Sequence, residues 1–353
     1  MLYVLKTKMK AAVLTSSKKI EIQEVLRPEP KDDEVLIRVK AVGLCGSDIH
    51  YYEHGKIGNF VVEKPIILGH ELSGEIVKLG IEVKKLIVGQ RVSIEPGKTC
   101  KTCRNCLDGR YNLCSQVEFL ATPPYDGAFC EYITIRADLV FPIPDTMSYE
   151  TAALIEPFSV GLHTVQRGNL STGETVVIFG MGPIGLMTVT AARLKGAANI
   201  IVVDLQQNRL DVALELGATH AIHVIHDNLE ERINEYTNGA GVDLAIETAG
   251  SEVAVKGCIS SVRRGGRVAI VGMSSKDEAF INLAQVIEKE LDVMGIFRYH
   301  HTYPIAIKLL SSSENKIEKM ITDKYSLAKT QDAFEKAIKD KNTTLKVFVY
   351  PKE

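Results

Sequence analysis

The hydrophobic pattern of this chain changes character partway along. Up to about Glu156, short runs such as Val35-Leu36-Ile37-Arg38-Val39 and Gly74-Glu75-Ile76-Val77 are bounded by Gly and Pro. That pattern predicts strands and turns. From about Gly173, apolar runs alternate with helical stretches, as in a parallel sheet. The expected strands are Val176-Val177-Ile178-Phe179, Ile200-Ile201-Val202-Val203, Asp243-Leu244-Ala245-Ile246, Val268-Ala269-Ile270-Val271 and Val293-Met294-Gly295-Ile296. Runs this continuously apolar suit strands buried on both faces. The end of the chain predicts an amphipathic helix from Ala328 to Lys339 and a strand from Leu345 to Tyr350. The expected fold class is α/β, with a β-rich part preceding a doubly wound parallel sheet.

Composition narrows the function classes. The 353 residues suggest about two domains. Apolar residues at 45% and charged residues at 24% are ordinary for a globular protein. A net charge of -2 gives no electrostatic case for nucleic acid or an acidic membrane. No apolar run approaches the ~20 residues that span a bilayer. The apolar piece Leu2 to Leu5 is too short for a signal-peptide core. Met9-Lys10-Ala11-Ala12-Val13 reads as a first strand, so residues 1–8 are expected to be an extension or an upstream start. Four of the seven cysteines cluster, which fits a reducing cytoplasm better than a disulfide scaffold.

The cluster is Cys100, Cys103, Cys106 and Cys114, spaced C-x2-C-x2-C-x7-C. Each C-x2-C step offers two thiolates from one turn, as a closed tetrahedral zinc site requires. Ferredoxin-type iron–sulfur runs close at x3 and are followed by Pro. Here the fourth cysteine comes after seven residues and precedes Ser115, so structural zinc is expected for the loop 97–115. Cys130 and Cys258 lie apart and read as buried apolar positions.

A second motif follows the first strand of the later half. Gly180-Met181-Gly182-Pro183-Ile184-Gly185 is G-x-G-x-x-G, and Asp204 ends the next strand, 24 residues past Gly180. The glycines permit a tight turn and close approach to a pyrophosphate at a helix N-terminus. Asp204 is placed to bond a ribose 2′-OH and to repel a 2′-phosphate, which favours NAD over NADP. Arg209 nearby is a residue type that accepts that phosphate.

An open metal site is expected upstream, from Cys45, His70 and a carboxylate, because a catalytic zinc keeps about three protein ligands and one free position. Asp48 is placed to fix the tautomer of His70. Glu71 adjoins His70, so both can ligate only where the backbone departs from a regular strand. Glu156, before Pro157, is the other candidate, directly or through water. His220, His223 and His226 lack acids or thiols at ligand spacing and read as strand and surface histidines. His300-His301 reads as a loop pair.

Cys45-Gly46-Ser47-Asp48-Ile49-His50-Tyr51, Gly69-His70-Glu71, the four-cysteine loop, Ala121-Thr122-Pro123-Pro124, Glu156-Pro157 and Phe297-Arg298-Tyr299 together resemble the zinc-dependent medium-chain dehydrogenases, especially their polyol branch of sorbitol dehydrogenases and relatives. The resemblance runs from Met9 to the end. It implies a GroES-like catalytic domain over 1–160, a Rossmann NAD-binding domain over 161–297 and a return segment, 298–353, that completes the first. It implies a catalytic zinc held by Cys45, His70 and Glu71, with Glu156 on its water or the substrate. Tyr51, Arg298 and Tyr299 would line the polyol site. Gly180, Gly182, Ile184, Gly185, Asp204, Arg209, Val271, Gly272, Met273, Ile296, Phe297 and Arg298 would contact NAD. The implied reaction oxidises a polyol to a ketose, the proton leaving through Glu156 or through Ser47 and His50. A simple alkyl alcohol would leave such polar groups unpaired, at about 1–3 kcal/mol each. The resemblance further implies a homotetramer. Two departures are Gln90, where the family's G-D-R-V turn has Asp, and Arg136, where polyol relatives often have His; the latter reads as a surface change. Rival readings are a threonine or butanediol dehydrogenase of the same architecture, and a non-catalytic protein that binds zinc and NAD.

Overall fold

The computed structural model describes residues 7–273, 278–312 and 316–351. Of the extension expected over 1–8, residues 1–6 lie outside the described part. The chain divides into two compact units: Met1–Glu156 with Tyr303–Glu353, and Pro157–Thr302. The division falls inside one helix, Tyr149–Arg167, next to its internal Pro157.

The first unit is built around the strand Glu34–Gly43. Its residues Val35, Ile37, Val39 and Val42 are all fully buried. It pairs with Glu71–Leu79, Tyr132–Arg136 and Lys346–Tyr350, all antiparallel. The seven-stranded sheet extends outward through Arg91–Ile94 and Val140–Pro142 on one side and Ile321–Ser326 on the other. A smaller sheet joins Lys19–Leu26, Lys8–Ser16 and Ile66–Ile67. The C-terminal strand therefore packs in the first unit, a placement the local pattern leaves open. The expected terminal helix forms over Thr330–Lys339 and buries Ala333 and Phe334. Phe334 meets the rings of Tyr52 and Phe129 in the same core.

The second unit is a six-stranded sheet. In spatial order its strands are His220–His223, Asn199–Asp204, Thr175–Phe179, Val242–Glu247, Val262–Ile270 and Asp292–Gly295, and every neighbouring pair is parallel. This is the doubly wound order, in which the direction of winding reverses between the first and fourth strands in sequence. The five apolar runs read from the sequence are five of these strands. The sixth, His220–His223, is an edge strand whose polar histidines hide the pattern. Helices Pro183–Lys195, Gln207–Leu216, Leu229–Thr237 and Glu252–Ser261 connect the strands. Asn228 and Ser251 cap two of them by accepting backbone N–H groups, which satisfies donors that a helix start otherwise leaves unpaired.

Candidate active site: a metal centre and a dinucleotide face

Cys45, His70 and Glu71 place ligand atoms within 4.8 Å of one another. Local backbone explains how neighbours in sequence can converge. Cys45 caps the helix Gly46–His54, so its sulfur sits at the start of that helix. Gly69 has φ of 90°, and His70 comes before the strand that starts at Glu71. The chain is therefore not a regular strand at His70, and adjacent His70 and Glu71 both reach the site. A side chain at Gly69 would also press on Val42 and Phe129, at 2.9 and 3.0 Å.

Asp48, fully buried, fastens these segments together. Its Oδ2 accepts from the Cys45 N–H at 3.0 Å and its Oδ1 from the Gly69 N–H at 3.0 Å. His70 Nδ1 faces the same Oδ1 at 3.6 Å, which leaves Nε2 for a metal. Burial pulls the His70 imidazolium down, but the Asp48 carboxylate and Cys45 outweigh it and hold its pKa well above the ordinary value. A sulfur, an imidazole and a carboxylate around one point fit zinc.

Lys346 was not singled out from the sequence and belongs to this site. It is 1% exposed. Its ammonium pairs with Glu71 and donates to the Leu44 carbonyl at 2.9 Å. Burial lowers its pKa, yet Glu71, Cys45 and Glu156 together raise it above the usual lysine range. Gly43 makes the room: a Cβ there would stand 3.0 Å from the lysine Cε and closer still to the Glu71 carboxylate. The only sequence signal was a lysine heading the apolar run Val347-Phe348-Val349. Glu95 was missed too. It is 5% exposed and accepts from the Tyr111 hydroxyl at 2.8 Å. Burial, with the charges of Glu156 and Asp138, pushes its carboxyl up to about 7. Glu156 is itself buried. Ser47 and His50 are half-buried on the helix that also buries Tyr51, and His50 packs on the His54 ring.

Cys100, Cys103, Cys106 and Cys114 bring their sulfurs within 4.8 Å of one another, the closed four-sulfur arrangement of a structural zinc. The Cys103 N–H donates to Cys100 Sγ at 3.3 Å. The N–H groups of Thr102 and Cys103 lower the Cys100 thiol to about 6, whereas burial and the Cys103 and Cys114 thiols raise Cys106 to about 12. The strands Gly97–Lys98 and Glu118–Phe119 close the lobe, and the Phe119 ring meets the His70 ring edge-on at 5.4 Å. Arg136 differs from its surface reading. It is 12% exposed, pairs with Asp138 and donates to the Thr99 carbonyl at 3.1 Å, beside the first cysteine. Gln90 caps its own turn, accepting from the Ile87 N–H at 3.1 Å.

In the second unit Gly180 has φ of 91°. A Cβ at Gly185 would lie 1.8 Å from the Gly180 carbonyl, so only glycine lets the helix start pack there. Thr248 Oγ1 donates to that carbonyl at 2.7 Å. Asp204 Oδ2 accepts from the Met181 N–H at 2.6 Å and Oδ1 from the Gln206 N–H at 2.8 Å, so this acid also holds the glycine loop. Gly182 caps the helix in which Ile184 lies, and Arg209 lies near the start of Gln207–Leu216. Val271 and Gly272 donate to the Glu247 carbonyl, Met273 is exposed, and Ile296 donates to the Ile270 carbonyl at 2.9 Å. Phe297 and Arg298 stack, guanidinium on ring, at 4.8 Å. Arg298 has φ of 52° and Tyr299 is buried. His223 and His226 stack on each other at 4.4 Å, and among the described residues the histidine triplet forms no group of potential metal ligands.

Removing one partner of a buried ion pair strands the other, at about 3–5 kcal/mol. Lys346→Met should therefore lower the stability of the chelated protein by about that amount, read as a shift of the urea midpoint. An unchanged midpoint would show that the pair contributes nothing.

Comparison with known proteins shows the family. The alcohol dehydrogenase GroES-like domain matches residues 31–145, and the zinc-binding dehydrogenase family matches residues 183–312. The chain is 53% identical over 343 residues to a sorbitol dehydrogenase of Bacillus subtilis, covering 97% of each. Among solved structures, an oxidoreductase of unknown specificity from Escherichia coli superposes with a TM-score of 0.94 at 37% identity, over 98% of this chain and 100% of that one. The 2R,3R-butanediol dehydrogenase of Bacillus subtilis superposes with a TM-score of 0.89 at 35% identity, over 98% of this chain and 100% of its own. With a GroES-like unit that gathers Cys45, His70 and Glu71, a four-cysteine lobe and a parallel nucleotide-binding sheet, the chain belongs to the zinc-dependent medium-chain dehydrogenases.

Proposed function

We propose that this protein oxidises a polyol to a ketose, with the hydride passing to NAD. The observation that carries the proposal is the convergence of Cys45, His70 and Glu71 in a chain 53% identical to a sorbitol dehydrogenase. Cys45, His70 and Glu71 would hold the catalytic zinc, and Cys100, Cys103, Cys106 and Cys114 the structural one. When bound, the catalytic zinc acts as a Lewis acid that makes an alcohol easier to deprotonate. Asp48 keeps the His70 ring oriented, and Lys346 supplies the positive charge facing Glu71. Glu156 takes the departing proton, with Ser47 and His50 as a second route. Tyr51 and Glu156 meet the polyol's other hydroxyls by the family resemblance. Gly180, Gly182 and Gly185 let the cofactor's pyrophosphate approach the backbone, and Asp204 receives the adenosine ribose.

The test is NADH formation with sorbitol, xylitol, ribitol, arabinitol, threonine, butanediol and ethanol, before and after chelation. Polyol turnover that chelation removes is expected. Turnover of butanediol or threonine alone would keep the fold and move the substrate assignment, in line with the 35% identity to a butanediol dehydrogenase. NADH binding without any turnover would favour a non-catalytic binding protein.

Asp204→Ala should raise the KM for NAD about tenfold or more, as expected for losing a bond to a charged group worth about 1.5–3 kcal/mol, and should narrow the preference over NADP. An unchanged preference would remove Asp204 from that role.

We further propose a cytoplasmic homotetramer. All seven cysteines are free thiols, and no described helix is long and apolar enough to cross a membrane. The edge strand Asp292–Gly295 and the helix Leu283–Glu288 expose Val293, Leu283 and Ile287, a surface suited to another copy. Light scattering should return four times the 38.8 kDa chain mass; a monomer would refute the assembly.

A further inference from the structure

Glu247 ends the strand Val242–Glu247 at the point where the sheet reverses its winding, and it is fully buried. Doubly wound sheets take their ligands at that point. The residue gathers backbone from two segments. Its Oε1 accepts from the N–H groups of Ala249 and Gly250, both at 2.7 Å, and of Ser251 at 3.4 Å. Its main-chain carbonyl accepts from Val271 at 2.9 Å and Gly272 at 3.1 Å. The other carboxyl oxygen, Oε2, is buried with no hydrogen-bond partner. A Cβ on Gly272 would lie 2.7 Å from that oxygen and 2.2 Å from the Gly250 nitrogen. The glycine is therefore what lets the two segments close on the carboxyl. The next residue, Thr248, holds the Gly180 carbonyl of the glycine loop. Ser251, at the far end of the same turn, caps the helix Glu252–Ser261.

A carboxyl buried without a cation is costly unless hydrogen bonds satisfy it. Three convergent N–H groups offset that cost at one oxygen only. Burial nonetheless raises the carboxyl's pKa above the ordinary range. Core packing alone would have been served by an apolar residue.

We propose that Glu247 is a positioning residue of the dinucleotide site: it sets the spacing of residues 248–251 and 271–273, through the N–H groups on Oε1 and the gap that Gly272 leaves for Oε2. The proposal rests on the assignment of this unit to NAD. Glu247 acts through the backbone segments and need not touch the cofactor.

The experiment titrates NADH by its fluorescence into the parent protein and three variants, with metal content, thermal midpoint and the KM values for NAD and polyol measured alongside. Glu247→Gln keeps an acceptor oxygen for the three N–H groups and should bind NADH within about threefold of the parent. Glu247→Leu removes the acceptor, and Gly272→Ala fills the gap. Both should weaken NADH about tenfold or more and raise the KM for NAD, while metal content and the KM for polyol at saturating NAD stay unchanged. A purely structural role would lower the thermal midpoint without this split between the two KM values. Parental NADH affinity in Glu247→Leu overturns the proposal, as does equal weakening in Glu247→Gln and Glu247→Leu. If Glu247→Leu fails to fold, Glu247→Asp, whose carboxyl is one methylene shorter, takes its place: NADH binding weakened about tenfold with an unchanged KM for polyol supports the proposal, and parental affinity overturns it. A parent that does not bind NADH would instead overturn the NAD assignment itself.

Discussion

One buried carboxylate organises the metal centre. Asp48 accepts N–H groups from the segments that carry Cys45 and His70 and faces the His70 ring. A metal site loses affinity when its ligands must be ordered at the moment of binding, because that ordering costs conformational entropy. Asp48 holds both ligand-bearing segments, the one with Cys45 and the one with His70 and Glu71, in place beforehand. The third ligand, Glu71, is held by a different device, the buried ammonium of Lys346. The centre is thus a set of mutually compensating buried charges gathered from the helix Gly46–His54 and from the strands Glu71–Leu79 and Lys346–Tyr350, which flank Glu34–Gly43. Its rigidity comes from the sheet.

The four-cysteine lobe is joined to this centre by contacts. Phe119, in the strand pair that closes the lobe, lies against His70, and Tyr111, near Cys114, bonds Glu95. A metal in the lobe would stiffen the platform beneath both residues. That gives a physical reason for a structural metal in a unit whose sheet already has a large apolar core.

In the second unit the constraint is close approach. Gly180, Gly185 and Gly272 are each crowded by backbone or by a buried side chain. At Gly185 and Gly272 a methyl group would collide with the element that must pack there. The acids beside them, Asp204 and Glu247, accept backbone N–H groups from the loops. Glycine and carboxylate therefore act as pairs, one clearing space and the other fixing what fills it.

Much of this was legible in the sequence. The spacing of the four cysteines and of the glycine loop encodes chemistry within a single turn, so a local pattern suffices. The four interior strands of the parallel sheet announced themselves because burial on both faces demands continuous apolar runs, and the edge strand Asp292–Gly295 was read from its run Val293-Met294-Gly295-Ile296. His220–His223 did not, since an edge strand tolerates polar residues. The roles of Lys346, Glu95 and Glu247 were decided only by tertiary structure. A charged residue in a chain reads by default as solvent-exposed, and for Lys346 and Glu95 nothing local reveals the partners that make burial affordable. For Lys346 those partners, Leu44 and Glu71, lie hundreds of residues away in sequence and meet it only across the sheet.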